Sequence, residues 1–259
     1  MLSKSTIRFI RSLKSGKSRG SSGLFVAEGT KTVLELLTSS LSIHSVYATI
    51  DWLNHYSIYL QKVTDRCHPI TGKEMESISY LVTPQDVLAI AGIPETSLIP
   101  GELGNQLVIM LDEIRDPGNM GTIIRTADWF GIRNILCSPG CVDVYNPKVV
   151  QSSMGSIARV NVHYTVLKDF LSHSNPSLTI YGCMLEGLDI RNATLENKGI
   201  ILLGNESTGI SPELIPCIQV RLTIPSFSSS AGIPFATAES LNAAQACSII
   251  CFAFRSQRR

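Results

Sequence analysis

Runs of apolar residues, broken at intervals by glycine, proline and asparagine, divide the chain into two alternating α/β stretches. In the first, the 3.6-residue period over residues 4–14 predicts a basic amphipathic helix. The run 24–27 predicts a strand, and Val33, Leu36 and Leu37 form the apolar face of a helix starting at Gly29. Strands expected at 44–48 and 87–91 complete a small α/β module over residues 1–95. Residues 94–105 carry two prolines and two glycines and read as a loop, with the linker placed at 96–105. Beyond it, the apolar runs 107–111, 134–137, 178–183, 200–203 and 220–224 each precede a helical pattern. They read as buried parallel strands of a second α/β domain over residues 106–259. Open sheets of this kind bind ligands at the loops beyond the carboxyl ends of their strands, so chemistry is sought there.

With 44% apolar residues in 259, the chain can bury a core without disulfide staples. Its 22 basic and 21 acidic residues leave a formal charge of +1, which neither demands nor excludes a nucleic-acid partner. The distribution says more. Six basic residues (Lys4, Arg8, Arg11, Lys14, Lys17 and Arg19) and no acidic one fall in the first 22 positions, and Arg255, Arg258 and Arg259 close the chain. Such ends fit a binder of the phosphate backbone and equally fit solvated termini. Seven scattered cysteines, an odd number in mostly apolar surroundings, point to reduced core thiols in a cytoplasm. Cys137 and Cys141, or Cys247 and Cys251, have the spacing of half a zinc site but no complementary pair nearby, so no metal is expected. Ile7, Ile10 and Leu13 alternate with charge instead of forming a signal-peptide core. The longest apolar stretches, such as 246–254, fall short of the roughly 18 residues of a membrane span, so no membrane partner is expected.

Three strand-to-helix junctions carry unusual polar residues. The first runs from Asp116 to Arg125. Pro117 and Gly118 suit the central positions of a turn, Asn119 is placed to cap the following helix, and Gly121 suggests a close approach. Arg125 gains nothing from a helix dipole so near its positive end; it suits a phosphate or a developing oxyanion, or is an ordinary surface arginine. The second junction, residues 202–210, contains Gly204, which allows a sharp turn, and Glu206, which either caps a helix beginning near Ser211 or positions a substrate hydroxyl. It lacks the Lys-Ser/Thr pair of a phosphate-binding loop. No Gly-x-Gly-x-x-Gly turn follows the first strand either, which argues against a dinucleotide-dependent oxidoreductase. The third junction is Ile224-Pro225, followed after a loop by Glu239-Ser240-Leu241-Asn242 at the opening of the last helix.

Taken in order, Asn-x-Gly-x-x-x-Arg, Gly-Asn-Glu-x-x-Gly and Ile-Pro…Glu-Ser-Leu-Asn resemble the three motifs of the SpoU (TrmH-like) ribose methyltransferases. Residues 148–155 are similar to that family's intervening helix. The stretch Arg-Phe-Ile-Arg-Ser-Leu…Gly-Leu-Phe-Val-Ala-Glu-Gly-Thr-Lys near the N-terminus is similar to an RNA substrate-binding module that resembles small ribosomal proteins. The resemblance implies a Rossmann-like parallel sheet with a deep trefoil knot, an exception to the rule against threaded loops, and a homodimer with its site near the subunit interface. It further implies methyl transfer from S-adenosylmethionine to a ribose 2′-hydroxyl of RNA. Ribosomal RNA and guanosine are favoured, with transfer RNA the runner-up. By the same analogy Leu203, Gly204, Asn205, Gly209, Ile224, Pro225 and Leu241 hold the cofactor, while Asn119, Arg125, Glu206, Ser240 and Asn242 line the reaction centre. Two positions depart from the family. Ser207 stands where it has glycine, and thirteen residues, 226–238, replace a connection of a handful, which keeps open a knotted RNA-binding protein without turnover.

Overall fold

A computed structural model describes residues 1–95, 103, 105–173, 178–227 and 240–257. The chain forms two compact units. Unit 1 consists of Met1–Glu95 with Asp143–Arg159, and unit 2 of Thr96–Val142 with Val160–Arg259. Most of the expected linker, and nearly all of the expected insertion at 226–238 with Glu239, lie outside the described residues.

Unit 1 opens with helices α1 (Lys4–Ser12) and α2 (Gly16–Ser22), strand β1 (Leu24–Glu28) and α3 (Thr30–Leu37). These lead to β2 (Ile43–Ala48), α4 (Ile50–His55), β3 (Cys67–Pro69), α5 (Gly72–Ile78) and β4 (Val87–Gly92). The sheet order is β1-β4-β2-β3, with β4 antiparallel to both neighbours and β2 parallel to β3. Ile10 and Leu13 drop from the α1 side into a core with Val26, Met75, Ile78, Leu88 and Ile90. The helix thereby hides its apolar stripe and leaves Lys4, Arg8, Arg11 and Lys14 exposed.

Helix α2, rich in glycine and serine, has little intrinsic propensity and was not expected. Its Arg19 explains it and corrects the reading of the basic N-terminus. The side chain is 3% exposed, donates to Leu13 O and Lys14 O at 2.9 Å, and pairs with Asp143. Arg19 is therefore a structural cation and faces no phosphate. The segment Asp143–Arg159, counted with the second domain on sequence grounds, packs within unit 1. Phe25 meets the Tyr145 ring at 4.8 Å, and Glu35 pairs with Arg159.

Unit 2 contains β5 (Leu107–Leu111), α6 (Pro117–Trp129) and β6 (Asn134–Cys137). After α7 (Pro147–Ser153), which belongs to unit 1, follow β7 (Asn161–Tyr164), α8 (Leu167–His173), β8 (Ile180–Asp189), β9 (Gly199–Leu203), β10 (Val220–Thr223) and α9 (Ala243–Ser256). The six strands are parallel in the order β10-β8-β9-β5-β6-β7. Central β5 and β9 are buried at every residue, as a sheet covered on both faces requires. Helices α6 and α9 pack together, with a 3.0 Å hydrogen bond between the Thr126 and Ser248 hydroxyls. Arg255 of α9 donates to the carbonyl of Phe130 at 2.9 Å, placing a cation at the negative end of α6. No helix among the described residues is long and apolar enough to cross a membrane.

Candidate active site

The carboxyl ends of β5 and β9 set the site. Directly after β5, Asp112 is 3% exposed and accepts a 2.7 Å hydrogen bond from Ser211 N. Glu113 follows with φ +59°, a strained value for a residue with a side chain. Its N–H donates to Ser138 Oγ at 2.9 Å, and its carbonyl accepts from Asn205 Nδ2 at 2.8 Å. The bonds from Asn205 and Ser211 hold the loop after β9 at both ends, and that to Ser138 ties in the segment after β6. Within that loop the backbones of Asn205 and Gly209 bond each other in both directions, and Asn205 Oδ1 accepts from Ser207 N and Thr208 N. A Cβ on Gly204 would lie 2.3 Å from the Gly209 backbone, so the turn admits no side chain there.

Two details differ from the sequence reading. Asp116, not Asn119, caps α6, accepting from Asn119 N at 2.8 Å, and Pro117 is the first helical residue instead of a turn centre. No helix begins at Ser211, so Glu206 caps nothing there. The Asn119 side chain, spared from capping, reaches across the site. Its Nδ2 donates to Glu206 Oε1, and its Oδ1 accepts from Asn242 Nδ2 at 2.7 Å. Asn242 in turn caps α9, its Oδ1 accepting from Ala244 N at 3.0 Å and Gln245 N at 3.3 Å. One residue from each motif thus joins a single hydrogen-bond chain.

Beside that chain lies a cavity of about 530 Å³, inside the range of about 300–1,000 Å³ common for small-molecule sites. Leu203, Gly204, Asn205, Gly209, Ile224 and Leu241 of the expected cofactor set line it, as do Glu206 and Ser240. Pro225 and Arg125 are not among its walls. Arg125 is exposed on α6 and makes no hydrogen bond or ion pair with a described residue. Among the described residues, the charged side chains of the lining are Glu186 and Glu206, both acidic. Sequence reasoning missed Asp112, Glu113 and Ser138, although two acids at the end of an apolar strand were a usable signal. It also missed the β8 wall, Cys183 to Glu186, whose residues belong to no motif.

The lining fits S-adenosylmethionine. Apolar Leu203, Ile224, Leu241 and Ile250 suit an adenine face, the turn backbones suit its polar edges, and the acidic lining suits a sulfonium. The fold and cavity thus define a small-molecule site at the carboxyl edge of a parallel sheet, in a chain with a basic-helix module before it.

The SpoU rRNA Methylase family model matches residues 106–252, and that of the MRM3-like substrate binding domain matches residues 4–89. The chain is 25% identical over 247 residues to the 23S rRNA (guanosine(2553)-2'-O)-methyltransferase RlmP of Bacillus subtilis (strain 168), covering 95% of this chain and 94% of that protein. A solved structure of a putative RNA methyltransferase of the TrmH family from Porphyromonas gingivalis is 35% identical, with a TM-score of 0.84 and all of both chains covered. The AdoMet-bound rRNA methyltransferase from Sinorhizobium meliloti is 26% identical, with a TM-score of 0.84 over 98% of this chain and 95% of that one. The chain belongs to the SpoU rRNA methylase family. Its activity is S-adenosylmethionine-dependent RNA 2′-O-ribose methylation, with rRNA as substrate.

Proposed function

We propose that this protein methylates the ribose 2′-hydroxyl of a guanosine in 23S rRNA, as a cytoplasmic homodimer. The hydrogen-bond chain Asn242–Asn119–Glu206 carries the reading, because it gathers the three motifs beside the cavity that Glu206 lines. The likeness to the Bacillus enzyme supports the choice of RNA and nucleotide.

Bound S-adenosylmethionine supplies an electrophilic methyl group on a sulfonium. The hydroxyl oxygen forms the new C–O bond as the C–S bond breaks toward sulfur, and its proton passes to water or a phosphate oxygen. A ribose hydroxyl is a poor nucleophile, so the protein's share is orientation and stabilisation of the developing charge. Glu206 and Asn242 fix the Asn119 amide in one orientation, which makes Asn119 the positioning group. Arg125 is no base, since a guanidinium keeps its proton; its donors stabilise the alkoxide or clamp the target phosphate.

Arg125 does not line the cavity of its own chain, and the dimer accounts for this. On α6, Thr122, Arg125 and Trp129 form an exposed stripe at helical spacing, with Trp129 84% exposed. On α9, packed beside it, Gln245, Ile249 and Phe252 form another, with Phe252 61% exposed. Two copies joined on this face would bury Trp129, Ile249 and Phe252 and set Arg125 at the subunit boundary.

Calorimetric titration with S-adenosylmethionine tests the cofactor site: micromolar binding is expected, lost in Ile224→Trp. Detection of 2′-O-methylguanosine in a 23S rRNA transcript tests the substrate. Methylation of a different nucleotide overturns the guanosine assignment, and no cofactor binding by folded dimer overturns turnover itself.

A further inference from the structure

Unit 1 has a cavity of its own, about 350 Å³, lined from β1, from Tyr80 and from the α7 region. Its volume stands at the low end for small-ligand sites, room for one nucleoside and not for a folded RNA element. Glu28, 6% exposed, contributes a carboxylate that accepts from Tyr80 N at 2.8 Å and from the Ser79 hydroxyl. Asn146 spends its Oδ1 on Lys148 N at 2.9 Å, and its Nδ2 donors bond no described residue. The Gln151 amide and the ammonium groups of Lys14 and Lys148 make no hydrogen bond or ion pair with a described residue.

The lysines are exposed and the amides half-buried, so the cavity has a cationic rim and hydrogen-bonding groups further in. Lys14 also ends a basic track. Lys4, Arg8 and Arg11 stand exposed on α1, and Lys17 follows on α2. A free mononucleotide would need the cavity alone, whereas a polyanion also uses the track.

We propose that this cavity takes up an unpaired nucleotide of the substrate RNA, with Lys14 and Lys148 on its phosphates and Asn146 and Gln151 on its base. The inference takes the ligand's identity from the methyltransferase reading but concerns a different cavity from the one that takes the cofactor. Single-stranded RNA is commonly read in this way, by splayed bases seated against aromatic and polar side chains.

The test is fluorescence anisotropy of the full chain with a labelled, mixed-sequence single-stranded RNA across a salt series. Lys14→Ala/Lys148→Ala should lose roughly tenfold in affinity, and its salt slope should fall by about 1.4, two contacts at about 0.7 each. Lys62→Ala/Lys73→Ala, which removes two exposed lysines of unit 1 outside the cavity, should change affinity by less than about twofold. Gln151→Trp, which fills the cavity without changing charge, should lose as much as the Lys14/Lys148 pair, and excess guanosine monophosphate should displace the RNA only partly. Wild-type affinity in a folded Gln151→Trp variant overturns the proposal, as does a Lys14/Lys148 loss no larger than the control pair's. The lysines are exposed, so their variant decides the question even if the tryptophan does not fit. Cofactor titration of the same variants should match wild type; if wild type binds RNA but no cofactor, the enzymatic reading fails and the RNA site stands.

Discussion

The cavities in unit 1 and unit 2 described above are built by opposite means. In unit 2 the walls are turns and apolar side chains, and the charged groups among the described residues are the carboxylates Glu186 and Glu206. In unit 1 the rim carries Lys14 and Lys148, long side chains without partners among the described residues. The difference follows the ligands. A compact sulfonium cofactor must be held in one conformation, which a braced loop achieves. A polyanion presenting many phosphates is met by mobile cations at low ordering cost. Rigidity in unit 2 comes from strain and cross-bracing: Glu113 at φ +59°, tied by Ser138 and Asn205, and Gly204 closed against Gly209.

The largest break in this comparison should come from Asn119→Ala. It removes the link between Glu206 and Asn242 without altering the cavity wall, so kcat should fall about 10²- to 10³-fold. Cofactor affinity should stay near wild type. Single-turnover methylation beside calorimetry separates the two, and an equal loss in both would mean that Asn119 acts through the cavity instead.

Next in size is Asp143→Ala, which leaves the Arg19 guanidinium buried without its carboxylate. A loss of about 3 kcal/mol is expected, the low end for breaking a buried pair, because Asp143 itself is half exposed. The effect should be confined to unit 1. The chain has two tryptophans, one in each unit, and Trp52 is buried while Trp129 is exposed. Urea unfolding followed by tryptophan emission therefore reports mainly Trp52. By the same logic residues 1–95 alone should fold poorly, for they lose the Tyr145 ring against Phe25 and the partner of Arg19. A stable, cooperative fragment would show that the segment Asp143–Arg159 is dispensable to unit 1.

Much of this was legible in the sequence where a single physical signal dominated. Strands buried on both faces read as continuous apolar runs, and residues 107–111 and 134–137 were placed to the residue. Strand β7 was not, because it is an edge strand whose Asn-Val-His-Tyr has one buried residue. Residues of the three motifs meet beside one cavity, and most of the expected cofactor set lines it. What the sequence could not reveal was a pairing across distance such as Arg19 with Asp143, 124 positions away. Asp116 took the cap expected of Asn119 because both are good capping residues and only geometry decides between them.

The smallest expected effect concerns how unit 1 fastens its basic helix. Glu74 completes a capping box on α5 with Thr71 and also accepts a 2.6 Å hydrogen bond from Leu2 N, just before α1. The Thr71 N–H first, then the Leu2 N–H and the Thr71 hydroxyl, hold its carboxyl at about 2, against an ordinary 4.5. A folded-state value below the unfolded one gives stability that is fully present above about 4.5 and is lost as the pH falls toward 2. Glu28 has the opposite sign, since burial raises its value, and its ionised form opposes folding as the pH rises past 4.5. Glu74→Gln should therefore lower the unfolding midpoint modestly at neutral pH, with the gap to wild type closing between pH 4.5 and 2. Trp52 emission across that window measures it. A gap that stays constant down to pH 2 would mean that the charge on Glu74 fastens nothing.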